Sequence, residues 1–179
     1  MVTIDKIMII KSKNFILRPW KMSDKSSLVK YINNKKIARN LATLPYPYTL
    51  KDARKWLTKT IKEPKKKKIQ NIHFAIEINN EAVGSIGLHK IHDRKAEVGY
   101  WLAEKYWGQG IMTEALKIIT KYGFNKLKLV RIFAHVYCYN SASKRVLEKV
   151  GYKVEGLLRK DAVKNGKNID HWLLAKVKK

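Results

Sequence analysis

The middle of the chain alternates apolar and polar residues in a pattern typical of strands. Residues 72–78 read Ile-His-Phe-Ala-Ile-Glu-Ile, which has the two-residue period of a half-buried strand. Asn79-Asn80 predicts a turn into a second strand at 83–91, so these two segments should form a hairpin. Asp93-Arg94 predicts another turn, which leads into a strand over 97–102.

Apolar residues three and four positions apart predict helices around this strand region. The clearest helix is expected at 111–125, where one face carries Ile111, Ala115, Ile118, Ile119 and Tyr122. Three more helices are expected: from Ser23 or Asp24 toward Asn33, from the cap Thr49 onward, and from Ser141 to Val150 with Gly151 as its stop. The remaining strands are predicted at 14–20, 131–136, 153–158 and 169–175, the last two joined by Asn165-Gly166.

The order of these elements predicts a mixed α/β (α+β) sheet rather than a doubly wound fold. A strand and two helices precede three strands, and a helix, a strand, a helix and two strands follow. Residues 62–68, with Pro64 inside, form a charged break that favours an exposed loop. Because the chain contains no repeat and no long linker, residues 1–179 are expected to form one domain.

The composition adds a strong positive charge to this picture. The 39 Lys and Arg residues outnumber 14 Asp and Glu, which gives a formal charge of +25. Such a surface attracts ribosomes, nucleic acid, acidic peptides or cofactor phosphates, although a merely solvated Lys-rich surface stays open as an alternative. Cys138 is the only cysteine, and the apolar stretch 7–10 is too short for a signal or a membrane span. A cytoplasmic protein without a membrane partner is therefore expected.

Two glycines stand between a predicted strand and the long helix. Residues 105–111 read Lys-Tyr-Trp-Gly-Gln-Gly-Ile, and we refer to them as the glycine turn. Glycine lets backbone approach a ligand, and the first amides of a helix have no internal partner, so the turn could hold a pyrophosphate. A tight turn that serves only the chain is the alternative. A P-loop and a dinucleotide fingerprint are excluded, because Ile111-Met112 and Thr113 replace the residues that those motifs need.

Several motifs in the right order resemble the GNAT acetyltransferases, and more narrowly the Rim-type ribosomal-protein N-terminal acetyltransferases. They are Leu17-Arg18-Pro19, the segments 97–102 and 106–115, Asn140-Ser141-Ala142-Ser143, residues 148–152, and 165–173. The resemblance implies a GNAT fold, with a mixed, mostly antiparallel sheet of about seven strands and about four helices. Lys105 departs from the Arg or Gln usual at its position, which keeps a positive charge but loses bidentate geometry.

The resemblance also implies acetyl-CoA as co-substrate, with its pantetheine arm between strands 97–102 and 131–136. The pyrophosphate would lie on backbone amides of the glycine turn, and Asn140 would hold the cofactor arm or serve only as a helix cap. The cofactor-binding residues expected on this basis are Trp101, Leu102, Lys105, Trp107, Gly108, Gln109, Gly110, Ile111, Met112, Asn140 and Ser143.

The implied reaction is direct attack of an amine on the thioester while both substrates are bound. A bulge at Gly99-Tyr100 would expose the donor for the thioester oxygen, which makes Tyr100 a candidate catalytic residue. Ser143, or secondarily Tyr139, is the candidate acid; the alternative for Ser143 is a small residue that lets the helix approach the cofactor. Glu97 is the candidate base, and its alternative is a salt bridge to a lysine.

Other reactive side chains receive structural interpretations. The histidines are expected to be structural or exposed, and no pair has metal-ligand spacing, so no metal is predicted. Cys138 has no adjacent base in sequence and is taken as a bystander rather than an acyl carrier.

Tyr46 and Tyr48 belong to a Pro-Tyr-Pro-Tyr loop in the region that walls the acceptor site in the family, and are the candidate substrate contacts. A protein N-terminal α-amine suits an open aromatic groove on a basic body. A small amine or an antibiotic is the alternative acceptor. An RNA- or ribosome-binding module is the alternative of another class.

Overall fold

A computed structural model describes residues 9–63 and 68–179, which are built around one eight-stranded sheet. The mixed α/β fold is thus confirmed; the sheet has one strand more than the approximate seven, because residues 10 and 11 add a short edge strand. Parts of two predicted features, 7–8 of the apolar stretch and 64–67 of the charged break, lie outside the described residues. The elements are β1 (Ile10–Lys11), β2 (Ile16–Pro19), α1 (Lys25–Ile32), α2 (Lys35–Ala38), α3 (Leu50–Lys62), β3 (Ile72–Ile78), β4 (Glu81–His92), β5 (Lys95–Leu102), α4 (Ile111–Asn125), β6 (Arg131–Tyr137), α5 (Ser141–Lys149), β7 (Lys153–Lys164) and β8 (Lys167–Val177).

The strands lie in the order β1-β2-β3-β4-β5-β6-β8-β7. Neighbouring strands are antiparallel except β5 and β6, which are parallel. The predicted β3–β4 hairpin is confirmed, and its turn residues Asn79 and Asn80 have positive φ angles of 50° and 61°. Asparagine tolerates this left-handed conformation better than most residues do.

Alternation along the strands divides the sheet into two covered faces. Ile86, Leu88 and Val98 belong to the main hydrophobic core, which also contains Ala115 of α4 and Leu147 of α5. We call this side the α4–α5 face. Alternate positions point to the opposite α1–α3 face, where a second core packs the side chains of α1 and α3. α4 and α5 therefore cover one face of the sheet, while α1 and α3 cover the part of the opposite face around β3 and β4.

Two caps set the helix boundaries that matter for the site. Thr49 caps α3 as predicted: Asp52 donates its backbone N–H to the Thr49 hydroxyl at 3.2 Å, and the Asp52 carboxylate accepts the Thr49 N–H at 2.9 Å. Gly110 precedes α4, so the first amides of that helix meet no capping side chain from this position.

A buried ion cluster ties β2 to its neighbours. The Arg18 guanidinium, in a residue only 4 % exposed, donates two 2.8 Å bonds to the Asp24 carboxylate and another bond to Glu77 on β3. Arg suits this position because its planar fork matches a carboxylate bidentately. The Leu17-Arg18-Pro19 motif thus anchors the edge of the sheet. In the same described residues, no helix has both the length and the apolar character needed to cross a membrane.

Candidate functional site

The parallel strands β5 and β6 separate after a short stretch of pairing. Their register runs from Lys95/Arg131 to Glu97/Phe133 and ends there. Beyond it, β5 continues to Leu102 paired with β4, while β6 continues to Tyr137 paired with β8. Residues 98–102 and 134–137 therefore face each other without a shared ladder, and we call the space between them the β5–β6 cleft. Backbone groups there are available to an extended ligand with amides of its own.

The glycine turn lies directly after β5 and leads into α4. Gly108 and Gly110 have φ angles of 75° and 77°. This is a left-handed backbone conformation that residues other than glycine adopt only with strain. The Trp107 indole N–H donates to the Leu102 carbonyl at 2.7 Å, and the Gln109 amide donates to the Lys105 carbonyl at 2.9 Å. The turn is braced against β5, with the positive end of the α4 dipole behind it.

An open depression of about 470 Å³ adjoins this turn, lined by residues 12–15, Gln109, Gly110, Ile111 and Glu114. Ile111 and Met112 are buried in the main core, so only their backbone amides are left for a ligand. An anion at the start of α4 would be held by backbone N–H groups and the helix dipole.

The other predicted cofactor residues near this turn are engaged with the protein. The Lys105 ammonium lies 4.9 Å from the ring centroids of both Tyr31 and Tyr106, in cation–π geometry. Trp101 packs against the core of the α1–α3 face, and Leu102 is buried in the core of the α4–α5 face. A direct role for these three side chains in cofactor binding stays a prediction.

Tyr100 and Ser143 meet on the α4–α5 face of the cleft. The Tyr100 hydroxyl lies 2.9 Å from Ser143 Oγ and donates to the Ser143 carbonyl at 3.2 Å. Burial raises the pKa of Tyr100 to about 12, so its phenol stays protonated. Asn140 caps α5 by accepting the Ser143 N–H at 3.2 Å, which is the alternative given for it; its contact with a cofactor stays a prediction.

The bulge predicted at Gly99-Tyr100 is wrong. The β4–β5 ladder keeps one register from His89/Glu97 to Gly84/Leu102, and the irregularity lies between His89 and His92. Gly99 has a different reason to lack a side chain: a Cβ there would stand 3.0 Å from the His89 ring nitrogen. A donor for the thioester oxygen would therefore come from the open edge of β5 rather than from a bulge.

Glu97 lies where the cleft begins, on the α1–α3 face. Its carboxylate contacts His135 Nδ1 and the Lys90 ammonium, each at 2.8 Å. Burial works to raise the pKa of Glu97, but the hydrogen bonds from His135 and Lys90 outweigh it and lower the pKa to about 2. The salt bridge named as its alternative is thus present, and a carboxylate with this pKa is a weak base.

The same face holds a second histidine–carboxylate pair. His171 Nδ1 lies 3.1 Å from the Asp161 carboxylate, and the rings of His135 and His171 are 5.7 Å apart. The Tyr137 ring lies tilted against His171, with a centroid distance of 4.8 Å. Sequence reasoning treated these histidines as structural or exposed. The signal for their grouping is the β5/β6/β8 register, which places 97, 135 and 171 on one face.

No three His, Cys, Asp or Glu side chains in residues 9–63 and 68–179 are arranged to hold a metal ion.

Cys138 is partly exposed, and burial is the main cause that raises the pKa of its thiol. A raised thiol pKa disfavours the nucleophilic thiolate.

The predicted acceptor contacts behave differently from each other. Tyr46 is 49 % exposed, whereas Tyr48 is buried in the core of the α1–α3 face. Tyr48 as a substrate contact is wrong, because both of its backbone groups bond to the Asn33 side chain, at 2.7 and 2.6 Å, and hold it inward. Tyr139, the second candidate acid, donates its hydroxyl to the Arg39 carbonyl at 2.6 Å.

Comparison with known proteins finds a matching family and related sequences. Residues 14–153 match the family model described as Acetyltransferase (GNAT) domain. The "Probable N-acetyltransferase YjcK" of Bacillus subtilis (strain 168) is 33 % identical over 174 residues, which cover 93 % of this chain and 95 % of that protein.

A second relative matches over part of the chain, and a solved structure has a similar fold. The "Putative ribosomal N-acetyltransferase YdaF" of Bacillus subtilis (strain 168) is 33 % identical over 104 residues, 57 % of each protein. Mycobacterium smegmatis RimJ, solved in complex with CoA-disulfide, superposes with a TM-score of 0.83 at 27 % identity, over 91 % of this chain and 81 % of that chain. The family model spans most of the chain and the relative YjcK matches over nearly its whole length, so the chain belongs to the GNAT family of acetyltransferases.

Proposed function

We propose that residues 1–179 form one N-acetyltransferase domain that transfers acetyl from acetyl-CoA to the N-terminal α-amine of a protein. The observation that carries this proposal is the β5–β6 cleft opening beside the glycine turn. The pantetheine amides would pair with strand edges in the cleft, and the pyrophosphate would lie at the start of α4. Mycobacterium smegmatis RimJ, whose fold is similar, was solved in complex with CoA-disulfide, which supports a CoA thioester as the ligand.

The chemistry needs a place for negative charge to develop. As the amine attacks, the thioester oxygen becomes an oxyanion, which backbone N–H groups on the open edge of β5 can stabilise. The departing sulfur would lie near the Tyr100–Ser143 pair on the α4–α5 face. Because Tyr100 stays protonated, its hydroxyl is a permanent hydrogen-bond donor for the thiolate. Tyr100 and Ser143 would thus share the acid role, for which the sequence suggests Ser143 first and Tyr139 second.

The acceptor would approach from the α1–α3 face. Tyr46 is exposed in the loop between α2 and α3, where the side chains of an extended protein terminus could contact it. The name of YdaF refers to ribosomal N-acetyl transfer, which supports a ribosomal protein as the acceptor and the cytoplasm as the compartment.

A basic concavity supports a ribosome contact. It has a volume of about 410 Å³ between the C-terminal halves of α4 and α5, and four lysines line it: Lys117, Lys121, Lys149 and Lys176. Along α4, Lys121 stands roughly 16 Å from the glycine turn, so a polyanion bound there would leave the cofactor site open.

The test is an acceptor panel. The purified chain with acetyl-CoA is given peptides that carry ribosomal-protein N-termini, the same peptides with blocked α-amines, and spermidine as a small amine. Release of the CoA thiol is followed with a thiol reagent, and mass spectrometry locates the acetyl group. Acetylation of free α-amines only is expected. Preference for spermidine would overturn the protein acceptor, and no binding of acetyl-CoA would overturn the whole proposal.

A further inference from the structure

His135 occupies the first step of the β5–β6 cleft, on the side from which an acceptor would arrive. The last paired residues are Glu97 and Phe133, and His135 follows Phe133 on the same face of β6. About a quarter (27 %) of its side chain is exposed, so a substrate can reach the ring. It is therefore a titratable side chain at the point where the strands separate.

Glu97 fixes the form of this imidazole. The Glu97 carboxylate is an acceptor only, so His135 Nδ1, 2.8 Å away, carries a hydrogen and donates it. In the neutral ring, the lone pair must then be on Nε2. A histidine whose Nδ1–H is held by a carboxylate is oriented as a proton acceptor, and its charged form is stabilised.

Glu97 itself is poorly suited to take a proton. Its two oxygens already accept from His135 and Lys90. A carboxylate in two short charge-assisted contacts gives up both when it is protonated, which makes protonation costly. The arrangement of Glu97 and His135 is that of an orienting group and the base it orients.

A buried hydroxyl without a protein partner among the described residues lies on the same strand and face as His135. The Tyr137 hydroxyl is buried and has no hydrogen-bond partner within residues 9–63 and 68–179. Buried hydroxyls are normally satisfied, so this one is available to hydrogen-bond a water or a polar group of a ligand. The titratable groups facing His135 are Lys90 on β4, Glu97 on β5, Asp161 on β7 and His171 on β8. Tyr137 follows two residues later on the same face of β6 and contacts His171.

We propose that His135 is the general base of the transfer and that Glu97 is its positioning residue, an inference that rests on the proposed acetyltransferase function. The amine nitrogen forms its bond to the thioester carbonyl carbon, and one of its protons passes to His135 Nε2. The C–S bond then breaks, and its electron pair leaves with sulfur. His135 returns its proton to solvent, and CoA is released as the thiol after taking up one proton.

The first measurement is the pH profile of kcat/KM for His135→Gln, Glu97→Gln and the wild type, with the best acceptor of the panel. His135→Gln should lose roughly 100-fold in kcat and the acid limb of its profile, at an unchanged KM for acetyl-CoA. Glu97→Gln should shift the acid limb to lower pH, because His135 loses the carboxylate that favours its charged form. A merely structural role for Glu97 would leave the limb in place.

His92→Gln is the matched control. His92 Nδ1 also contacts a carboxylate, Asp93 at 3.0 Å, but at the β4–β5 turn away from the cleft. This variant should keep the wild-type kcat and pH profile. An acid limb and a kcat in His135→Gln equal to those of the wild type would overturn the assignment, and so would a limb that moves equally in His92→Gln.

A second measurement separates this inference from the proposed function. The imidazole of His135 is titrated by NMR in the wild type and in Glu97→Gln, with and without acetyl-CoA. A lower pKa in Glu97→Gln is expected, and no change would overturn the positioning role whether or not an acceptor has been found. If acetyl-CoA binds but neither peptides nor spermidine is acetylated, the proposed acceptors are wrong. The NMR titration still shows whether Glu97 controls the protonation of His135.

Discussion

The hydroxyl of Tyr100 lies 2.9 Å from Oγ of Ser143 and joins β5 to the first turn of α5. The pair faces the α4–α5 side of the cleft, while Glu97 and His135 face the α1–α3 side. Successive residues of a strand point to opposite faces, so β5 can present a donor to one side of a bound thioester and an orienting carboxylate to the other.

Tyr100→Phe should slow the transfer by roughly tenfold to a hundredfold in kcat, because the departing sulfur loses a fixed hydrogen-bond donor. The KM for acetyl-CoA should change little, since the backbone contacts remain. Steady-state kinetics with a thiol reagent measures both. Tyr152→Phe is the control: it removes a comparable buried pair, in which Tyr152 meets the Thr120 hydroxyl at 2.8 Å, but one enclosed in the core. Equal losses in kcat for both variants would contradict the role.

Gly110→Ala should weaken acetyl-CoA binding by about tenfold or more. Gly110 has a φ of 77°, and an alanine would push the turn toward another conformation and move the amides that open α4. Titration calorimetry with acetyl-CoA measures the change. Gly166→Ala carries a similar backbone penalty, at a φ of 75°, but in the distant β7–β8 turn. Unaltered affinity in Gly110→Ala, or the same loss in Gly166→Ala, would argue against a phosphate site at this turn.

The sequence pattern predicted the regular elements well because each carries its own period. Helix 111–125 has the predicted limits, since its apolar face and the glycine before it are local signals. The strand β1 and the helix α2 were missed; at two and four residues they are too short to show a period.

Contacts between distant segments could not be predicted in the same way. The pairing of Tyr100 with Ser143 joins residues 43 positions apart, and that of Glu97 with His135 joins residues 38 apart. The second depends on the parallel β5/β6 register and the first on how α5 packs against β5, and no local signal fixes either. Tyr48 shows the same limit, because its burial is set by Asn33, a residue fifteen positions away on another element.

Arg18→Met should destabilise the fold by roughly 3–5 kcal/mol, since it leaves the carboxylates of Asp24 and Glu77 without their shared partner. Arg131→Met is the control. Arg131 also forms a bidentate pair, with Glu155, but its side chain is 26 % exposed, and such pairs contribute about 0–1 kcal/mol. Urea unfolding of both variants gives the comparison, and a similar loss for the two would contradict the anchoring role of Arg18.

Glu97→Gln should lower stability in a pH-dependent way. The pKa of Glu97 is lowered from 4.5 to about 2, so its contribution is complete above pH 4.5 and is lost as the pH falls toward 2. The hydrogen bond to Glu97 is the main cause that raises the pKa of His135 above 6.5. The stability contributed by the charged imidazole is therefore complete below pH 6.5 and is lost as the pH rises further.

The difference in unfolding free energy between the wild type and Glu97→Gln should therefore be largest between about pH 4.5 and 6.5, on the order of 3 kcal/mol at about 1.4 kcal/mol per pKa unit. Urea unfolding in buffers from pH 3 to pH 9 measures it. A difference that is constant over this range would show that the carboxylate contributes packing rather than charge.

Reversing two lysines of the basic concavity, Lys117→Glu with Lys121→Glu, should weaken binding to a short poly(U) RNA more than the lost charge alone requires. Each lost phosphate contact lowers the slope of affinity against salt, on logarithmic axes, by about 0.7 for a single strand. The control reverses Lys51 and Lys55, exposed residues of α3 on the opposite side of the sheet, and changes the net charge equally. Fluorescence anisotropy at several salt concentrations separates the two. Both double variants should still bind acetyl-CoA, because the glycine turn is untouched. If the two lost the same RNA affinity and the same salt slope, RNA would bind through net charge without using the concavity.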